Sequence, residues 1–374
     1  MSNVGLVKTE YISLTDQEQP FCLESGYSFK ELTVAFETYG KLNHAGDNCI
    51  LVIHALTGSA HAAGKHSPDD SLPGWWDPLI GPGKALDTDR YFVVCPNVLG
   101  SCYGTTGPAS LDPETGRPYG MSFPVFNIRD MVRLQKRLLD KLGIKRLVTA
   151  IGGSMGGMQV LEWLINYPEF LHSGISIAAS GRLSAQTIAY NQVQREAICL
   201  DPAWNQGDYY AGPGPQKGLA LARMIGTITY KGRNSFDQRF GRAFSGLTSS
   251  DYYQLDSTFE VENYLKYQGD KLVKRFDANC YLYLTKAMDL HDIGFFFNTY
   301  EEAFNKIKSP ILAIGIDSDI LFPVYQQKEI VNLVQLHGGT AFYREISSPH
   351  GHDAFLIEFE QLEKIIADFL ASLS

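Results

Sequence analysis

Apolar residues fall into two alternating textures along this chain. Short β-branched runs bounded by turn residues recur at 49–54, 91–95, 147–151, 173–178 and 311–316. Most are apolar at consecutive positions rather than at every second one, the pattern of strands buried on both faces. Between them apolar residues return every three or four positions. The stretch 130–142 is amphipathic at helical spacing and ends at Gly143, 155–167 reads as a second helix stopped before Pro168, and 355–373 reads as a closing helix. Strands alternating with helices predict an α/β chain whose mostly parallel central sheet is flanked by helices. From 181 to 300 the texture changes to long polar and aromatic stretches without strand-like runs, including Gly212-Pro-Gly-Pro215. That segment is expected to be a helical lid inserted in the core, with 1–180 and 301–374 forming the core itself.

Composition narrows the function classes. With 374 residues, 44% of them hydrophobic and 20% charged, the chain can bury a large core. A net charge of −9 argues against a general nucleic-acid binder. No transmembrane candidate is visible, and the start Met-Ser-Asn-Val-Gly-Leu-Val-Lys lacks the basic start and apolar block of a secretory signal, so a cytoplasmic protein is expected. The six cysteines are scattered without a CxxC spacing, which favours reduced thiols.

The chemistry concentrates where the strand at 147–151 runs into Gly152-Gly153-Ser154-Met155-Gly156 and directly out into a helix. This is a nucleophile elbow. Ser154 is held in a strained turn, and Gly152, Gly156 and Gly157 permit the close strand-to-helix approach. The Met155 amide then points into the same space as the helix N-terminus, where an oxyanion is stabilised. The second donor belongs on the loop after the early strand, His54-Ala-Leu56-Thr-Gly58, with the Leu56 amide as candidate. A serine nucleophile needs a base and an orienter. Asp317 and Asp319 both follow the strand at 311–316, and Asp319 lies deeper in the loop with D-x-x-x-P spacing. His350 and His352 both precede the last helix, and the Gly351-His352 pair is the favoured base. The spacings of His54, His61 and His66 do not suggest a metal site, and a His-x-His-Asp cluster at 350–353 lacks a third matching ligand. No metal is expected.

The order Ser, Asp, His is that of the α/β-hydrolase triad. Beyond the elbow, the blocks His54-Ala-Leu-Thr-Gly-Ser-Ala-His61, Gly74-Trp-Trp76, Asn97-Val-Leu-Gly-Ser-Cys-Tyr-Gly104, Leu221-Ala-Arg-Met-Ile225, Asp319-Ile-Leu-Phe-Pro323 and Gly351-His-Asp-Ala-Phe355 resemble those of the homoserine O-acetyltransferases of the α/β-hydrolase superfamily. The resemblance extends over nearly the full length. It implies Ser154, Asp319 and His352 as catalytic residues, Arg223 and Asp353 as substrate-binding residues, and transfer of acetyl from acetyl-CoA to L-homoserine in methionine biosynthesis through an acetyl-serine intermediate. It further implies acetyl-CoA as co-substrate with no bound cofactor, and a homodimer that engages neither nucleic acid nor membrane. A zwitterionic acceptor needs a cation for its carboxylate and an anion for its ammonium, which Arg223 and Asp353 would supply. A homoserine O-succinyltransferase, a serine O-acyltransferase and an esterase would use the same triad, and these remain the alternatives.

Overall fold

A computed structural model of the chain describes residues 3–14, 20–246 and 251–373. Its strands are β1 (Glu10–Ser13), β2 (Phe21–Cys22), β3 (Ser28–Phe29), β4 (Thr33–Tyr39), β5 (Cys49–Ile53), β6 (Phe92–Pro96), β7 (Leu147–Gly153), β8 (Gly174–Ile177), β9 (Ile311–Ile316) and β10 (Ala341–Ile346). Its α-helices are α1 (Ile128–Lys141), α2 (Met155–Asn166), α3 (Ala185–Cys199), α4 (Gln216–Tyr230), α5 (Arg233–Arg239), α6 (Glu260–Val273), α7 (Ala278–Asp289), α8 (Val324–Leu336) and α9 (Phe359–Ser372). An eight-stranded sheet runs in the order β1-β4-β6-β5-β7-β8-β9-β10. From β6 to β10 every pairing is parallel, whereas β1 and β4 join antiparallel.

Strands β5 to β9 are those the apolar runs predict. β5 and β9 are buried at every position. In β5, Cys49, Leu51 and Ile53 face the layer containing α1 and α2, while Ile50 and Val52 face the layer containing α9 and Trp76. Each such side chain, fully buried, contributes about 1.5–3 kcal/mol. Five strands escape that pattern, among them the two-residue β2 and β3. β4 carries the buried charge of Glu37, and β10, at the sheet edge, exposes Phe342, Arg344 and Glu345. β1, also at an edge, is mostly exposed.

Helix boundaries depart from the periodicity where caps decide. α1 begins at Ile128 because the Asn127 side chain accepts from the Asp130 amide and the Asp130 side chain reaches back, a capping box. The closing helix does not start at 355. Residues Gly351–Leu356 form a 3-10 turn instead, opened by Gly351 at φ 65° and anchored where Trp76 Nε1 donates to the Phe355 carbonyl at 3.1 Å. The helix proper, α9, begins at Phe359.

Between β8 and β9 the described chain holds α3 to α7 and no named strand. Its ends run side by side: Leu183 donates to the His291 carbonyl at 3.0 Å and Ile293 to Gly181 at 2.9 Å. Its buried residues, including Ile198, Leu219, Leu272 and Tyr281, belong to the same hydrophobic cluster as α1 and α2. Among the described residues no helix is long and apolar enough to cross a membrane.

Candidate active site

β7 ends at Gly153, α2 begins at Met155, and Ser154 makes the whole connection at φ 57° and ψ −123°. That backbone lies in the region that non-glycine residues avoid, at a cost of about 1–3 kcal/mol. The surroundings enforce it. The Ser154 amide donates to the Ile177 carbonyl of β8 at 2.9 Å, and a Cβ on Gly152 would meet the Ile53 carbonyl oxygen at 2.8 Å. Gly156 approaches the same carbonyl still more closely. The serine side chain is thereby raised into a cleft of about 470 Å³.

His352, on the 3-10 turn before α9, lines the same cleft. Its Nδ1 lies 2.7 Å from Asp319 Oδ2, while Asp319 Oδ1 accepts from the amides of Leu321 and Phe322 at 2.8 and 2.9 Å. Asp317 is turned elsewhere, accepting from Ser347 Oγ and the Ser348 amide. The His350 amide donates to Ser348 Oγ, and its side chain lines a different cavity. Burial favours the neutral form of His352, but the charge of Asp319 and its hydrogen bond more than offset this and hold the imidazole above its ordinary value. Its Nε2 is buried and has no hydrogen-bond partner among the described residues.

The loop after β5 lies across from the elbow. His54 fixes its base: Nε2 accepts from the Val98 amide at 3.1 Å, so Nδ1 carries the hydrogen and donates to the Ala55 carbonyl at 2.8 Å. Burial pushes its pKa down to about 4, in keeping with a neutral ring. Leu56 lines the cleft, and no protein acceptor is recorded for the amides of Leu56 and Met155 among the described residues. Arg275, between α6 and α7, grips this loop: Nη1 donates to the Thr57 carbonyl at 2.7 Å and meets Tyr103 Oη at 2.8 Å.

Arg223 on α4 lines the cleft with its guanidinium over the Tyr230 ring at 5.4 Å, and it has no ion-pair partner among the described residues. Asp353 also lines the cleft, but its carboxylate is paired with Lys231 Nζ at 2.9 Å. Lys231 and Arg275 were not among the sequence candidates. No motif marks them, because Arg275 reaches the cleft, and Lys231 reaches Asp353, from the α3–α7 segment through tertiary packing.

The α/β-hydrolase fold family matches residues 48–359. Over 373 residues the chain is 59% identical to the homoserine O-acetyltransferase of Moorella thermoacetica, covering 100% of this chain and 98% of that protein. This chain belongs to the homoserine O-acetyltransferase family. Among solved structures, the homoserine O-acetyltransferase from Bacillus anthracis superposes with a TM-score of 0.91 at 34% identity, covering 98% of each chain. Esterase E22 superposes with a TM-score of 0.89 at 33% identity, covering 98% of this chain and 100% of that one.

The sequence blocks shared with the homoserine O-acetyltransferases have structural tasks around the cleft. Asn97 Oδ1 accepts from the Ala60 amide at 2.8 Å, joining the loops after β5 and β6. Trp75 Nε1 donates to the Ser59 carbonyl at 2.9 Å. His61 and His66, unremarkable by spacing, converge with Glu37 so that their ligand atoms all lie within 4.8 Å. His61 Nδ1 and His66 Nε2 reach the two carboxylate oxygens at 3.0 and 2.7 Å, and the Thr9 and Tyr39 hydroxyls donate to the same oxygens at 2.9 and 3.0 Å. Burial would raise the Glu37 pKa, but the hydrogen bonds from the two imidazoles carry it below its ordinary value. The cluster is therefore a buried carboxylate satisfied by four donors.

Proposed function

We propose that this protein transfers the acetyl group of acetyl-CoA to the hydroxyl of L-homoserine through an acetyl-Ser154 intermediate. The observation that carries this is 59% identity over the full length to a protein named homoserine O-acetyltransferase, far above the 33% shared with an esterase of nearly the same backbone. The Arg223 guanidinium, with no ion-pair partner among the described residues, supports an acceptor bearing a carboxylate.

In this reading Ser154 Oγ attacks the thioester carbonyl as His352 Nε2 takes its proton, and Asp319 stabilises the imidazolium. The Leu56 and Met155 amides hold the tetrahedral oxyanion. The C–S bond breaks, the CoA thiolate leaves with the proton from His352, and Ser154 stays acetylated. Homoserine then enters with its carboxylate on Arg223 and its ammonium at Asp353. His352 removes the homoserine hydroxyl proton, the new ester oxygen bonds to the acetyl carbon, and the Ser154 ester breaks. Ser154 regains its proton from His352. Residues 181–300 act as a lid inserted in the core, giving homoserine the advantage over water by positioning and exclusion. Lys231, already paired with Asp353, would share that carboxylate with the substrate ammonium.

Release of free CoA from acetyl-CoA and from succinyl-CoA, each with homoserine, serine or water as acceptor, tests the reading. Release from acetyl-CoA that requires homoserine is expected. Preference for succinyl-CoA would replace the donor, and release without an acceptor would favour hydrolysis, the second reading that the esterase likeness supports.

A further inference from the structure

The Ser154 cleft is one of two adjoining cavities along the α3–α7 segment. A second, of about 400 Å³, lies beyond the C-terminal end of α6 and is lined by Tyr209, Gln216, Lys274 and Phe276 among others. Arg275 lines both cavities, which places them side by side. Its guanidinium is held by the Thr57 carbonyl and Tyr103 Oη.

The charges on either side of it are unbalanced. Lys271 lines the Ser154 cleft, Lys274 lines the second cavity, and neither has an acidic partner among the described residues. The carboxylate at the second cavity, Asp277, is committed to its own surroundings: Oδ1 accepts from the Cys280 amide at 2.8 Å and Oδ2 from Tyr209 Oη at 2.7 Å, with Tyr210 Oη at 3.4 Å from Oδ1. On a chain of net charge −9, two unpaired ammonium groups one helical turn apart form a local positive field able to gather a polyanion. Tyr209 and Tyr210, stacked with ring centroids 4.7 Å apart, wall the same cavity with aromatic surface suited to a purine.

A coenzyme A thioester has a neutral reactive end and a polyanionic nucleotide end. If the thioester reaches Ser154, the phosphates must lie outside the cleft. We propose that the second cavity is the subsite for the nucleotide end of the acyl-CoA donor. Lys274 meets its phosphates, and the pantetheine arm passes Arg275 and Lys271 into the Ser154 cleft. The inference rests on the acyl-CoA reading above.

The test compares acetyl-CoA with S-acetylpantetheine, which carries the same thioester and no nucleotide. In K274E, kcat/KM for acetyl-CoA is expected to fall by about fivefold or more, with the loss in KM, while that for S-acetylpantetheine changes less than about twofold. In the wild-type protein, adenosine 3′,5′-bisphosphate is expected to compete with acetyl-CoA and not with S-acetylpantetheine, a measurement that needs no variant. Equal losses with both donors, an unchanged KM for acetyl-CoA, or no competition by the bisphosphate would each overturn the subsite and leave acyl transfer standing. A wild-type protein that releases no CoA from acetyl-CoA would overturn the acyl-CoA reading itself.

Discussion

At the scale of the residue, the site separates reactive groups from those that hold them. Ser154→Ala is expected to abolish acetyl transfer while thermal unfolding shows an intact fold. Arg223→Ala should raise KM for homoserine by more than about tenfold and leave the burst of CoA release from acetyl-CoA nearly unchanged. Equal damage to both half-reactions would remove Arg223 from the acceptor site. The pH dependence follows from Asp319. His352 acts as base only when neutral and is held above the ordinary imidazole value, so kcat/KM should rise with pH along a limb lying above about 6.5. Asp319→Asn should move that limb downward and lower the plateau by about 10⁴-fold, the scale of the equivalent change in a serine protease. Protonated His352 paired with Asp319 contributes stability that is present below the ordinary value and lost as pH rises through the folded one. Glu37 carries the opposite sign. Its contribution is present above the ordinary carboxylate value and fades as pH falls through the lowered one. Glu37→Gln should cost about 1–3 kcal/mol in denaturant unfolding at neutral pH, because it leaves its donors imperfectly matched in a buried setting.

Among elements, the β5 loop is the least self-sufficient part of the site. It is anchored by His54 to the loop after β6, by Asn97 through Ala60, and by Arg275 from across the cleft. Arg275→Ala should lower kcat by between about 10- and 100-fold with little change in KM for homoserine, and Arg275→Lys, which keeps one donor, should recover part of the loss. A rise in KM alone would exclude this positioning role. What could be read along the chain follows the same division. Strands β5 to β9, the elbow and the loops carrying Asp319 and His352 are local in sequence, and their apolar runs, glycines and turn spacing are written there. β4 and β10 were missed because one buries a charge and the other exposes Phe342, Arg344 and Glu345 at an edge. Lys231 and Arg275 were missed because they reach the site only after the α3–α7 segment packs down. The clustering of His61 and His66 on Glu37 was illegible for the same reason: the carboxylate comes from a strand more than twenty residues earlier.

For the molecule as a whole, the continuous cluster shared by α1, α2 and the α3–α7 segment makes independent unfolding of that segment costly. Calorimetry should therefore record one cooperative transition, with van't Hoff and calorimetric enthalpies in agreement. Two resolved transitions would mean that the helices over the cleft form a unit of their own. The net charge of −9 and the unpaired cations along α6 also make salt a selective reagent, expected to weaken a phosphorylated donor more than a zwitterionic acceptor.

The left-handed backbone of Ser154 places folding and chemistry in opposition at a single position. Glycine would occupy φ 57° with less strain, so Ser154→Gly is expected to match or exceed the parent in stability while losing acetyl transfer. A population of such chains selected only for surviving heat would drift toward glycine at that site. Among descendants freed from the reaction, the elbow would be an early place for the lost selection to leave a trace.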